Sequence, residues 1–404
     1  MSDGIPVRAV TVAIGIACTL GIWGARTGAA QNPTPAATLV GFSVLPADTF
    51  ADGPPSGRFR QNGVRGTAFP GQPVQGVSAM RPDPDARGWW LCLSDNGFGI
   101  RLNSTDYLLR IYRVRPDWRT ASGGSGQVEV GGFIPLADPD RHVPFAIVRE
   151  DTRERWLTGG DFDPESFVRA PDGTYWIGEE FGPFLLHVDA KGALVAPPAR
   201  VDGLKTPDTP GTTPPDAGRP NDANVRRSRG FEGLAFADGR LFAMLEGPTL
   251  ADPPAEARIL EFDPSGNRFT GREWRYRLER PEHSATELVA YAPGRFLVIE
   301  RDNGHGPEAR FKKVFAIVLD EPGTLVDKVE VVDLLNLADP ARLGGETDVF
   351  SFPFITTEAV WPDGPGTLVL ANDNNYPATG GRTAGVRDAT EFIRLQLRRP
   401  LPTS

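Results

Sequence analysis

Apolar residues along this chain fall into short runs separated by turn-forming pairs such as Asp-Gly and Pro-Gly, and no sustained 3.6-residue periodicity is present. The clearest unit predicts strands at 231–236, 241–245, 259–262 and 274–278, with turns at Asp238-Gly239 and Asp263-Pro264-Ser265-Gly266. The next unit repeats this at 288–291, 296–299, 314–318 and 329–332. Earlier units contribute strands at 89–93, 108–114 and 128–130, then at 175–177 and 185–188. A last unit at 359–361, 367–370 and 392–397 lacks a fourth strand, and segment 38–45 has no unit of its own. Pairing that N-terminal strand with the last unit would complete a ring and remove its exposed edges. The prediction is an all-β fold, a β-propeller with five blades preferred. Six blades would need a further unit between Leu136 and Gly160, a stretch that is short and irregular.

Acidic residues recur at fixed places in these units. A strand that opens with Glu is followed by one that closes on an acid, and antiparallel neighbours bring those two points to one edge. The copies pair Asp163 and Glu165 with Glu179 and Glu180, Glu232 with Glu246, Glu287 with Glu300 and Asp302, and Glu358 with Asp373. In the divergent first copy Gln75 stands where the others have Glu, followed by Asp95. Carboxylates gathered from several strands are hard oxygen ligands suited to Ca²⁺. The expected metal set is therefore Asp163, Glu165, Glu179, Glu232, Glu246, Glu287, Glu300, Asp302, Glu358 and Asp373. The same acids could instead accept backbone hydrogen bonds or pair with Arg229 and Arg301. Zinc is disfavoured, because His142, His187, His283 and His305 show no paired spacing. There is no EF-hand loop.

Composition narrows the context. The chain has 404 residues, with 46 Gly and 39 Pro, and a formal charge of −9. That acidity argues against a nucleic-acid partner. Arg8, the uncharged apolar run 9–25 and the small residues Gly28-Ala29-Ala30 have the layout of a cleavable secretory signal over 1–30, ahead of a single domain over 31–404. A retained anchor and a lipidated Cys18 are the alternatives. Signal removal would leave no stable membrane span and Cys92 as the sole cysteine, so no internal disulfide could form. The expected location is secreted or periplasmic. Two turn-rich insertions, 205–229 and a second beginning at Asp373, are placed to overhang the acidic edge.

No Gly-x-Ser-x-Gly elbow is present, which disfavours a serine hydrolase of that type. Glu180 and His305 are the candidate acid–base residues, the histidine being more readily explained as one held by its turn. Arg229, Arg301, Lys313 and Arg382 are candidates to grip an anionic substrate. The segments Arg155-Trp156-Leu157-Thr158-Gly159-Gly160-Asp161-Phe162-Asp163-Pro164-Glu165-Ser166 and Asp172-Gly173-Thr174-Tyr175-Trp176-Ile177-Gly178-Glu179-Glu180-Phe181-Gly182-Pro183 resemble the signature of the phytase-like domain of the esterase-like phytase family. Arg229-Gly230-Phe231-Glu232-Gly233-Leu234 and Lys312-Lys313-Val314-Phe315 resemble its later segments, and the likeness runs from about Gly76 to Leu397. The resemblance implies a propeller and an exported hydrolase of phosphate esters, with Asp163, Glu165, Glu179, Glu180, Glu232 and Glu246 as matched acidic positions. A Ca²⁺-dependent phosphoesterase acting on a small-molecule ester is the leading expectation. A metal-dependent lactonase or carboxylic esterase, and a non-catalytic binding propeller, are the alternatives.

Overall fold

The computed structural model describes residues 34–210 and 222–403. The expected leader over 1–30 lies outside the described residues. What is described is all-β apart from single 3₁₀ turns at Arg101–Asn103 and Gly306–Glu308. No helix among the described residues is long and apolar enough to cross a membrane.

The strands form antiparallel meanders. The second meander runs Pro164–Arg169, Tyr175–Glu179, Phe184–Val188 and Ala199–Arg200, and the third Phe231–Ala237, Arg240–Leu245, Glu256–Asp263 and Arg268–Arg277. The fourth runs Ser284–Ala292, Arg295–Arg301, Lys312–Val318 and Lys328–Asp333. A first meander (Val77–Pro82, Trp90–Ser94, Arg110–Asp117, Gln127–Pro135) and a last one (Thr357–Pro362, Thr367–Asn372, Thr390–Leu397) join into one longer sheet. The joint is Ala37–Leu45, which pairs antiparallel with Thr390–Leu397 along its length and touches Gln127 through a parallel bridge at Val44. The N-terminal strand thus completes the last meander, as the missing fourth strand required.

Local chemistry explains the strand connections. Asp238 and Gly239 both take positive φ, 50° and 74°, the backbone that a two-residue hairpin turn needs to match the twist of its strands. The opening strands of the meanders pack against one another in a cycle, giving a propeller-like arrangement around a common axis. Gly233 makes one such approach possible, since a Cβ there would lie 2.7 Å from the backbone nitrogen of Leu288.

Each gap between neighbouring meanders holds its own apolar cluster. Phe242, Met244, Trp274, Phe296 and Val298 fill the space between the third and fourth. Leu297, Ile299, Val360, Ile393 and the N-terminal Leu39 and Phe42 fill that between the fourth and the last. Burying such side chains is worth about 1.5–3 kcal/mol each. The ring is held by these side-to-side interfaces, which leaves the axis free for polar chemistry.

Candidate active site

A β-bulge at the start of each opening strand re-aims one side chain toward the axis. Register skips occur between Pro164 and Ser166, Phe231 and Gly233, and Thr357 and Ala359, so Glu165, Glu232 and Glu358 are the bulged residues. The corresponding skips in the first and fourth meanders fall at Ser78 and Thr286. The inner ring is therefore Ser78, Glu165, Glu232, Thr286 and Glu358. The residue following each second strand lies beside it: Asp95, Glu180, Glu246, Arg301 (the last residue of its own strand) and Asp373.

The carboxylates converge. Oxygens of Glu165, Glu232 and Glu358 lie within 4.8 Å of one another, as do those of Asp163, Glu165 and Glu180, and all five residues are buried. Two oxygens that share one Ca²⁺ at about 2.4 Å can be at most about 5 Å apart, so this spacing fits a cation. Two bare carboxylates at such a distance repel by about 3–4 kcal/mol at an effective dielectric near 20. Burial, reinforced by the neighbouring acids, pushes Glu165, Glu180 and Glu232 well above the ordinary carboxyl range. Burial likewise raises Asp95 to about 6, Asp163 to about 7 and Glu358 to about 8, and drives Asp373 well up. Asp163 is held in place by the backbone N–H and side-chain amide of Asn96, at 3.0 and 2.6 Å.

Arg301 is the cation of the outer ring, with Nη2 3.1 Å from Glu246 and 3.6 Å from Glu358, while its buried Nε has no acceptor. Arg229 stands 3.3 Å from Glu246 and also donates to Ser284 and the His283 carbonyl. Beside Asp95 a recess of about 320 Å³ is lined by Arg60, Gly97, Phe98, Asn375 and Tyr376. Described parts of the two insertions border this chamber. Thr206 and Thr209 donate to the Phe181 carbonyl next to Glu180, and Asn375 and Tyr376 line the recess.

Several predicted site residues sit elsewhere. Glu287 occupies a place where the other meanders have Ala79, Ser166, Gly233 and Ala359, one residue past the bulge. It accepts from Arg81 at 3.0 Å and is raised to about 7 by burial, which Arg81 opposes. Glu179 turns away from the axis to accept the N–H groups of Phe181, Gly182 and Phe184. Glu300 accepts from Tyr276, Lys328 and the Glu279 N–H and pairs with His283; burial opposes ionisation, but His283 and Lys328 hold the carboxyl low. Asp302 is paired with Lys312 at 2.8 Å and accepts the Arg310 N–H. Both ring nitrogens of His305 are engaged, Nδ1 by the Ile355 N–H and Nε2 by Asp388 at 2.9 Å. Lys313 is bound to Glu330 on the outer strands, and Arg382 makes a forked contact to Glu391. Gln75 braces the recess, donating to Asp95 and accepting from the Tyr376 N–H.

Sequence reasoning placed Asp95 as the closing acid of the first copy but left it out of the metal set, although it follows its strand as Glu180 and Glu246 do. It also missed Arg60, whose loop carries no repeat signal, and Ser78 and Thr286, which reach the ring only because of the bulges.

A propeller-like all-β ring with a buried acidic cluster at one end of its axis defines the class of protein. The chain belongs to the phytase-like family, described as esterase-like activity of phytase, whose model matches residues 72–376. No curated protein matches it. Among solved structures it is similar to a luciferin-regenerating enzyme at 11% identity, covering 80% of this chain and 78% of that one, with a TM-score of 0.38. A PQQ-bound aldose sugar dehydrogenase from Streptomyces coelicolor is 15% identical, covering 90% and 100%, with a TM-score of 0.35. The calcium-binding protein regucalcin from Agrobacterium tumefaciens is 13% identical, covering 80% and 92%, with a TM-score of 0.37.

Proposed function

We propose that this protein is an exported, Ca²⁺-dependent hydrolase of phosphate esters, built as a five-bladed propeller over residues 31–404 behind a cleaved leader at 1–30. Secretion to the exterior or periplasm rests on the charge and hydropathy layout of that leader. The blade count is supported by the cyclic packing of the opening strands Val77–Pro82, Pro164–Arg169, Phe231–Ala237, Ser284–Ala292 and Thr357–Pro362. Family membership supports the ester-cleaving chemistry. The observation that carries the reading is the convergence of Glu165, Glu232 and Glu358 within 4.8 Å, with Asp163 and Glu180 adjoining.

Asp163, Glu165, Glu232 and Glu358, with Asp95 and Asp373, would hold the cation. Bound there, Ca²⁺ would offset the charge of the substrate phosphate and make a nearby water more acidic. The protein's own groups supply the rest. Arg301, with a free Nε, and Arg229 would orient phosphate oxygens, and Arg60 would steady the substrate in the recess. Glu180, whose carboxyl burial and then Glu246 push well above the ordinary range, would donate its proton to the leaving alcohol oxygen as the ester P–O bond breaks. Water supplies the hydroxyl that ends on phosphate, and its released proton restores Glu180.

The test is hydrolysis of phytate and of simple phosphomonoesters by purified protein, with calcium and then with chelator. Turnover that needs calcium and is lost in Glu232→Gln supports the reading. Cleavage of lactones or aryl acetates with indifference to phosphate esters would replace it with a carboxylic esterase, and a wild-type protein that turns over none of these esters, yet binds a ligand equally well with and without Glu232→Gln, would replace it with a binding module.

A further inference from the structure

The opposite end of the axis is chemically unlike the acidic end. There the far ends of the opening strands surround a cavity of about 390 Å³ whose walls include Val168, Leu234, Val289 and Trp361. Typical small-ligand pockets span about 300–1,000 Å³, so this one suits a small occupant. No Asp or Glu lines it, whereas two arginines do, Arg81 and Arg169.

The two arginines differ. Arg81 is buried, hydrogen-bonded to Glu287 and to the carbonyls of Met80 and Leu234, and flanked by the rings of Phe167 and Trp361 at 5.6 Å. Its Nε is nevertheless buried with no acceptor, a costly state for a charged donor. Arg169 stands exposed at the rim, with no ion pair among the described residues. With Glu287 balancing one of the two charges, the cavity keeps one uncompensated positive charge beside an apolar wall.

The geometry points to a second ligand site at this end of the axis, taking a small monoanion with an apolar body, an aromatic or medium-chain carboxylate. The apolar body would cover Leu234, Val289 and Trp361, and the carboxylate would meet Arg169 at the rim, with the free Nε of Arg81 deeper within. The site needs neither calcium nor the acidic chamber, so its fate is separable from that of the proposed hydrolase.

Calorimetric titration of the full chain with benzoate and octanoate, in chelator and again in calcium, tests this, with octanol as the uncharged control. One-to-one binding of at least one carboxylate in both conditions is expected, with octanol weaker than octanoate by roughly tenfold. Arg169→Glu, an exposed change that spares the core, should weaken carboxylate binding by roughly tenfold or more, and Ala290→Trp should abolish it by filling the cavity. Phosphate-ester turnover should be unchanged in Arg169→Glu. Absence of binding by either carboxylate up to about 10 mM, binding that survives Arg169→Glu, or binding that appears only with calcium would overturn the assignment. If Ala290→Trp does not fold, the Arg169→Glu comparison alone decides.

Discussion

Arg301 and Glu246, neighbours in the outer ring of the acidic chamber, pair at 3.1 Å, which sets a cation into a ring that otherwise carries Asp95, Glu180, Glu246 and Asp373. The chamber is therefore polar across its width, with Arg301 and Arg229 on one side and the Asp95 recess on the other. An anion entering such a chamber has one favoured orientation.

Replacing Arg301 with Met should separate binding of metal from turnover. Loss of a donor that acts on the reacting phosphate costs about 10²-fold in kcat/KM. Calcium affinity should hold or rise, because a positive charge has left the ring. Steady-state kinetics beside a calcium titration of the same variant checks both halves.

Calcium should stabilise the fold through the chamber. A ligand at about 100 times its Kd adds about 2.7 kcal/mol, which for a chain of this length raises Tm by about 3 °C. Glu232→Gln should lose most of that rise. Thermal melts in chelator and in millimolar calcium measure it.

The pH dependence of the metal-free protein follows from the raised carboxyls. Asp95, Asp163 and Glu358 titrate at about 6, 7 and 8 in the folded state, against about 4 when unfolded. Between those limits the folded form binds more protons, so stability is complete below about pH 4 for these groups and is lost as pH rises through 6 to 8. Melting temperature in chelator should fall across that range, and calcium should flatten the fall by replacing protons. A metal-free protein that grows more stable from pH 5 to 8 would contradict the chamber electrostatics.

Glu287→Gln should destabilise without touching the metal. It leaves Arg81 buried with no counter-charge, a defect of about 3–5 kcal/mol. The calcium-induced rise in Tm should persist. Pairing Arg81→Met with Glu287→Leu should recover much of the loss, since an apolar pair of similar size removes the buried charge; urea denaturation of the single and double variants gives the comparison.

The strand pattern and the closing role of Ala37–Leu45 were legible because turns such as Asp238-Gly239 and the missing last strand leave direct marks in the sequence. Glu165, Glu232 and Glu358 were legible because each precedes an apolar strand in the same way. Glu287 was misleading. It follows Thr286 as Glu358 follows Thr357, yet the bulge falls on Thr286 in one and on Glu358 in the other, and a shift of one residue sends a strand side chain to the opposite face. Glu179 and Glu300 misled for the related reason that each sits one position before its ring residue. Lys313 and Arg382 carried the right charge, but their partners Glu330 and Glu391 are distant in sequence and only the fold brings them together.

The pairing of Ala37–Leu45 with Thr390–Leu397 makes the first and last described strands a single structural unit. A nascent chain can assemble the intervening sheets as they emerge, yet Leu39 and Phe42 have no wall to complete until Ile393 and Leu395 arrive. The axis then has no defined centre until Thr390–Leu397 has been made, so the inner-ring carboxylates cannot converge while the earlier sheets fold.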